Sequence, residues 1–357
     1  MRLCLDARMI RSGGIGTYIK NLIDVFASEK KIKLTLLHWK KDAHFFKDYP
    51  LANKRIIHSP IYSVREQFEL PLKIPSCDLF FAPHFNIPLL PIRAKKRATT
   101  IHDTYHLTYF STLSFTQKIY AKLFYNGAIF KSDTLITEAH FAKTEILTRC
   151  LLRPKKLEVI YNAYRLNKTS QSALPTHLPS KFILSVGNIK PHKNLLRLLQ
   201  AYEQLECQEH LLLVGQADRL GTQEKELFDF LERKPALKKR VHFTGYISDD
   251  ELATLYKKAR LFIFPSLYEG FGLPPIEAMA AGVPVVASTA ASIPEICKQG
   301  AYYIDPYKVS ELKEAMQSLL NDEALRKKQI EVGKEVAYGY RFELFKENYL
   351  NWISRWL

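Results

Sequence analysis

Short apolar or β-branched runs recur along the chain, each separated from the next by a stretch with helical spacing, and this alternation narrows the fold more than any other feature. The runs are Arg2–Leu5, Lys33–His38, Leu79–Phe81, Thr99–Ile101 and Thr134–Thr137, then Phe182–Val186, Leu211–Val214, Val241–Phe243, Leu261–Phe264 and Val283–Ala287. Parallel strands joined by helical crossovers give this rhythm, because a hairpin returns after a few residues and a crossover does not. A chain of 357 residues divides naturally into two such domains. Between Asn162 and Lys181 the sequence lacks periodicity and is rich in Ser, Thr, Asn and Pro, as linkers are. We therefore read residues 1–170 as one domain and 171–338 as a second. In 339–357, Phe342, Phe345, Tyr349, Trp352, Ile353 and Trp356 fall at three- and four-residue spacing, which gives a helix with one apolar face. That face packs on a domain or lies in a membrane interface; Glu343 and Glu347 weaken the second reading.

Charge is unevenly divided. Residues 1–170 hold 28 Lys and Arg against 13 Asp and Glu, a net +15, whereas residues 171–357 hold 24 against 23, a net +1. The excess fits a merely basic surface or an anionic partner for the first half, whether nucleic acid, a phosphorylated substrate or an anionic membrane. Dense clusters stand at Arg93, Lys95, Lys96 and Arg97 and at Arg153, Lys155 and Lys156. The best apolar stretch, Met279–Ala287, contains Pro284 and is too short to span a bilayer. The opening MRLCLDARM lacks the long apolar region of a signal peptide. Five scattered cysteines with no Cys-x-x-Cys pair read as those of a reducing cytoplasm. No Asp-x-Asp pair offers a divalent metal its ligands, so no metal is expected.

Three segments carry chemistry. After the run Leu261–Phe264 comes SLYEGFGLPPIEAMAAG, in which Gly270 and Gly272 form a turn and Pro274 and Pro275 suit the first turn of a helix. A strand, a glycine turn and a helix start together make an anion site. Glu269 before the turn and Glu277 within the helix can then address opposite ends of one ligand, carboxylates being good acceptors for sugar hydroxyls; either alone reads equally as a cap or surface residue. A second strand, Phe182–Val186, leads through Gly187, Asn188, Lys190, His192 and Lys193 into a helix over Leu195–Leu205. Lys193 there can neutralise a diphosphate or stand exposed. In the first half, SGGIGTY puts Gly14 and Gly16 between a strand and a helix but fails as a dinucleotide fingerprint. Thr99–Thr104 places His102 and Asp103 at a strand end, where α/β folds hold ligands, although a core or capping His fits equally.

The segments VGNIKPHKN, VHFTGYISDDEL and SLYEGFGLPPIEAMAAGVPVVAS, in this order, resemble the C-terminal half of family 4 retaining glycosyltransferases, with Glu269 and Glu277 as the family's Glu-x7-Glu pattern. SGGIGTYIKNL and TIHD resemble its glycine loop and its His-containing loop. The resemblance implies an α/β chain of two Rossmann-like domains facing a central cleft, the GT-B fold, with residues 339–357 as a helix returning to the first domain. It implies a nucleotide-sugar donor on the second domain and no further cofactor. Glu269 would hold a hydroxyl of the donor sugar, Glu277 the ribose, the amides of Gly270, Phe271, Gly272 and Leu273 the sugar and diphosphate, and Lys193 the diphosphate charge. His102 would contact the donor sugar, with Gly14 near phosphate or acceptor. On this reading His102, Lys193 and Glu269 are catalytic, and Gly14, Gly16, Asp103, Gly187, Asn188, Lys190 and Glu277 line the substrates. Two positions depart from the pattern: Asn188 stands where many members have Arg, so a second phosphate cation falls to Lys190 or His192 or is absent, and Ala139 replaces a capping Ser.

The implied reaction moves a hexose, mannose or glucose, to a glycan or lipid-linked saccharide with retention, in synthesis of a bacterial surface polysaccharide or lipopolysaccharide. The expected place is the cytoplasm, peripheral on the inner face of an anionic membrane, with no nucleic-acid partner. The rivals are a nucleotide-sugar epimerase or a phosphorylase on the same fold, the latter needing a pyridoxal lysine, and a basic nucleic-acid-binding protein.

Overall fold

The computed structural model describes residues 1–165, 178–216 and 222–356; the domain boundary placed at 170 lies outside them. The chain forms two compact units, residues 1–163 with 342–357 and residues 164–341. In the first, β1 (Arg2–Asp6), β2 (Lys33–Trp39), β3 (Asn53–Ile57), β4 (Cys77–Ala82), β5 (Ala94–Thr100), β6 (Thr134–Thr137) and β7 (Leu157–Val159) make a parallel sheet ordered β3-β2-β1-β4-β5-β6-β7. In the second, β8 (Phe182–Val186), β9 (His210–Val214), β10 (Val241–Gly245), β11 (Leu261–Phe264), β12 (Val285–Ser288) and β13 (Tyr302–Ile304) are ordered β10-β9-β8-β11-β12-β13, also parallel. All ten apolar runs are strands. Among the described residues, the strands without such a run are β3, β7 and β13, and each lies at a sheet edge. An edge strand needs less apolar surface than a central one, so NKRII, LEV and YYI carry a weak signal.

The helices named below are α1 (Gly13–Ser28), α2 (Glu66–Lys73), α3 (Phe115–Lys131), α4 (His140–Arg149), α5 (Leu195–Glu203), α6 (Asp249–Lys258), α7 (Leu273–Ala280) and α8 (Phe342–Ser354). Side chains of the central strands alternate between the two faces of the first sheet, as the two-residue period requires. Leu3, Leu5, Leu79 and Phe81 enter one core with Tyr18, Leu22 and Phe26 of α1. Cys4, Phe80 and Ala82 enter the other, with Phe124 and Tyr125 of α3. The first of these cores also takes the apolar face of α8: Phe345, Tyr349, Trp352 and Ile353 are buried in it, with Phe342 and Trp356 packed against it. Trp352 lies 5.5 Å from the Phe81 ring. This face is therefore core, which corrects the alternative of a helix lying in a membrane interface. Among the described residues no helix is long and apolar enough to cross a membrane.

Candidate active site

In the second unit the strand order reverses between β8 and β11, and in open parallel sheets ligands bind where that happens, beyond the carboxyl ends of the strands. The loops after β8 and β11 meet there. The Leu267 amide donates to the His192 carbonyl at 2.7 Å, and Lys193 Nζ donates to Glu269 Oε1 at 2.6 Å. Gly187 adopts φ +151°, and a Cβ at that position would lie 3.1 Å from Lys193 Cε, so glycine leaves the lysine stem its path. Asn194 enters α5 at φ +59°, a conformation Asn tolerates. Its Nδ2 donates to the carbonyls of Pro265 at 3.1 Å and Pro306 at 2.7 Å, tying the loops after β11 and β13 to the start of α5.

Past Glu269, Gly272 turns the chain into α7 at φ +97°, with no side-chain cap. Pro274 and Pro275 carry no amide hydrogen, so the donors at this helix end are concentrated on Leu273 and the residues before it. Ser292 Oγ donates to the carbonyls of Glu269 at 2.9 Å and Phe271 at 3.0 Å, which fixes the path of the glycine turn. Glu277, one turn into α7, has a separate partner: Tyr256 Oη of α6 donates to its Oε2 at 2.8 Å. Burial pushes the Glu277 carboxyl up to about 7, Asp249 adding to the rise and the Tyr256 bond opposing it. Asn188 is exposed and accepts weakly from the Gln216 amide at 3.4 Å. Burial lowers the His192 imidazole to about 4, against the pull of Glu269. That leaves the exposed Lys190, not His192, as the second cation of the loop.

In the first unit the order reverses between β1 and β4. His102, just beyond β5, has both ring nitrogens engaged: Nδ1 with Glu138 Oε2 at 2.5 Å and Nε2 with the Pro83 carbonyl at 2.8 Å. Two acceptors require two ring protons, and although burial opposes the charged form, Glu138 and Pro83 raise the imidazole above its usual value. Ala139 leaves α4 without a side-chain cap, and Glu138 is spent on His102 rather than on that helix. Asp103 Oδ1 accepts from the Tyr105 amide at 2.9 Å. Gly14 is exposed at the start of α1. Gly16 is buried, and a Cβ on it would lie 2.4 Å from the Ile10 carbonyl, so close packing accounts for this glycine. A small cavity at the reversal point is lined by Asp6, Arg8, Ala82, Pro83, His84 and Asn86 among others. Arg8 is buried there in a bidentate pair with Asp6 at 2.9 and 2.7 Å and a bond to Glu66 of α2 at 2.8 Å. Among the described residues no group of His, Cys, Asp and Glu is arranged to hold a metal.

Residues 167–336, most of the second unit, match the family Glycosyl transferases group 1. The match places this stretch, rather than the whole chain, in the family. The chain is 28% identical over 295 residues to the O-antigen chain mannosyltransferase RfbU of Salmonella typhimurium, covering 82% of this chain and 78% of RfbU. It is 37% identical over 149 residues to the serotype-specific mannosyltransferase WbdA of Escherichia coli, which is 41% of this chain; the match spans only 18% of WbdA. HepE of Anabaena, solved in complex with UDP-glucose, superposes with a TM-score of 0.79 at 19% identity, over 99% of this chain and 100% of HepE. That likeness carries the fold: the chain has the GT-B architecture of two parallel α/β units. The sequence reading passed over Glu138, Asn194, Tyr256, Ser292 and the Arg8–Asp6–Glu66 group. For Arg8 a signal existed: like His102 and Asp103, Asp6 and Arg8 stand at a strand's carboxyl end.

Proposed function

We propose that the protein is a glycosyltransferase, one that moves a hexose from a nucleoside diphosphate sugar to a hydroxyl of a glycan or lipid-linked saccharide, with retention at the anomeric carbon, in building a surface polysaccharide. Mannose is the favoured sugar, as it is in the names of RfbU and WbdA. The observation that carries the reading is the Lys193–Glu269 pair at 2.6 Å, set beside a glycine turn and a helix start with Glu277 one turn beyond. Before the donor binds, the two charges satisfy each other. A diphosphate draws Lys193 to itself, and Glu269 is then free to accept from a sugar hydroxyl, so donor binding sorts the pair onto opposite ends of one ligand. Glu277 accepts from the ribose. Lys193, Lys190 and the amides of Gly270, Phe271, Gly272 and Leu273 meet the charge that grows on the leaving diphosphate, an electrostatic role worth most where it is fixed in advance.

His102, in the first unit, is a positioned ring. With both nitrogens occupied it holds the His102–Asp103 segment in place and does not shuttle a proton. Screening GDP- and UDP-sugars by thermal shift tests the assignment, since a donor at about 100 times its Kd stabilises the folded protein by about 2.7 kcal/mol. A stabilising GDP-mannose with an inert UDP-glucose supports the mannose reading, the reverse overturns it, and indifference to every nucleotide sugar overturns the donor site itself.

A further inference from the structure

Among the described residues, one face of α3 has no partner in its unit. Phe124, Ala121, Tyr125 and Ala128 turn inward and are buried, whereas Phe115, Ile119, Leu123 and Phe130 on the opposite side are 77%, 52%, 52% and 66% exposed. Spacings of four, four and seven residues put these side chains in one stripe. The stripe continues onto the loop after α4: the Leu152 amide donates to Asn126 Oδ1 of α3 at 2.9 Å, and Leu151 beside it is 80% exposed. Large apolar side chains scattered singly on a surface are ordinary, but a contiguous row is not.

Lys118, Lys122 and Lys131 flank the row, and Arg153 and Lys155 follow in the adjoining loop. From Thr104 to Ser132 the chain holds no Asp or Glu, and Asp133 just beyond is paired with Lys96 at 3.0 Å. The stripe is thus apolar at its centre and positive at its rim with nothing acidic between. By contrast, the Arg93–Arg97 cluster is largely committed inside the unit: Lys95 pairs with Asp78 at 2.9 Å, Lys96 with Asp133, and Arg97 donates to the carbonyls of Pro88 and Leu90.

We propose that the exposed face of α3, with Leu151 and Leu152, docks the transferase onto an anionic phospholipid surface, apolar side chains entering the interface and lysines meeting the headgroups. A face of this kind lies in the plane of a membrane, held by buried apolar area together with attraction to anionic lipid. The charge complementarity selects a lipid surface over an apolar partner, and the uneven +15 of the first half then has a location. This inference stands apart from the reaction, because membrane attachment is read without donor or acceptor.

The test is co-sedimentation of the full chain with phosphatidylethanolamine vesicles carrying about a third phosphatidylglycerol. Combining Phe115→Ser, Ile119→Ser, Leu123→Ser and Phe130→Ser should lower partitioning at least about tenfold at low and high salt alike, with the thermal shift given by nucleotide unchanged. Combining Lys118→Ser, Lys122→Ser and Lys131→Ser should lower it only at low salt. Changing Arg93, Lys95, Lys96 and Arg97 to Ser should alter it by less than about twofold. If the fourfold variant fails to fold, Ile119→Trp reports instead: its added emission should shift to the blue on vesicles. Undiminished binding by the fourfold variant, or added emission in the Ile119→Trp variant that stays unshifted in pelleted protein, overturns the proposal. So does a wild-type dimer that the serine variant turns into a monomer, which makes the stripe a contact between copies.

Discussion

Glu277→Gln separates folding from binding in a way that tests the chemistry of the proposed donor site. Burial lifts this carboxyl to about 7 in the folded chain from an ordinary value of 4.5. Between those values the folded state keeps a proton that the unfolded chain releases, so the contribution of Glu277 is fully present below about pH 4.5 and lost as pH rises through about 7. Each pH unit separating the two values corresponds to about 1.4 kcal/mol, giving a loss of about 3 kcal/mol across that window. Glutamine keeps the acceptor that Tyr256 Oη uses and cannot ionise. The variant should match the wild type near pH 4.5 and exceed its stability by about 3 kcal/mol at about pH 8, measured by urea unfolding across that range. At the same pH its affinity for a nucleoside diphosphate should fall by about tenfold or more, because hydrogen bonds from ribose hydroxyls to a carboxylate are worth about 1.5–3 kcal/mol each. Unfolding curves that keep a constant separation at every pH would refute the buried-carboxyl argument.

Glu269→Ala should leave nucleoside diphosphate affinity nearly intact while cutting turnover, and Glu277→Ala should weaken that affinity; equal losses in a calorimetric titration contradict the division of roles. Lys193→Ala should lower kcat by roughly 100-fold with EDTA inert on the wild type, and activity abolished by EDTA and restored by Mg²⁺ would end the metal-free account. Glu138→Gln should drop the titration of His102 followed by NMR; the raised imidazole contributes stability below its ordinary 6.5 that is lost as pH rises through the higher folded value, so an unmoved His102 titration would remove Glu138 as its anchor. Trp352→Ala should destabilise the first unit by about 3–5 kcal/mol, because the α8 face is core, and a change near zero in thermal unfolding would place that face outside the core.

What the sequence made legible follows from which interactions are local. Central strands such as Phe182–Val186 and Leu261–Phe264 are covered on both faces and must be apolar throughout, so their runs stand out. The edge strands β3, β7 and β13 carry no such demand and were silent. The spacing of Glu269 and Glu277 within one turn-and-helix segment is visible in one stretch of chain, and so is the glycine before Lys193. The Lys193–Glu269 pair joins residues 76 apart, and His102–Glu138 joins residues 36 apart; those partners depend on strand order, which no local pattern states. Gly16 shows a second reason for a glycine. A glycine at a helix start reads as a phosphate cradle, yet here the Ile10 carbonyl fills the space a side chain would need. The α3 stripe escaped notice because its inner and outer faces are both apolar, which erases the contrast that marks an amphipathic helix.

The most direct measurement of the central claim is proton NMR of the full chain incubated with GDP-mannose, EDTA and a mannose-terminated oligosaccharide. The account predicts release of GDP together with a new α-anomeric signal on the acceptor, and loss of both in Lys193→Ala. A β-anomeric product would contradict retention, and a wild-type protein that binds GDP-mannose yet releases no GDP with any hydroxyl acceptor would contradict the transferase mechanism built on Lys193 and Glu269.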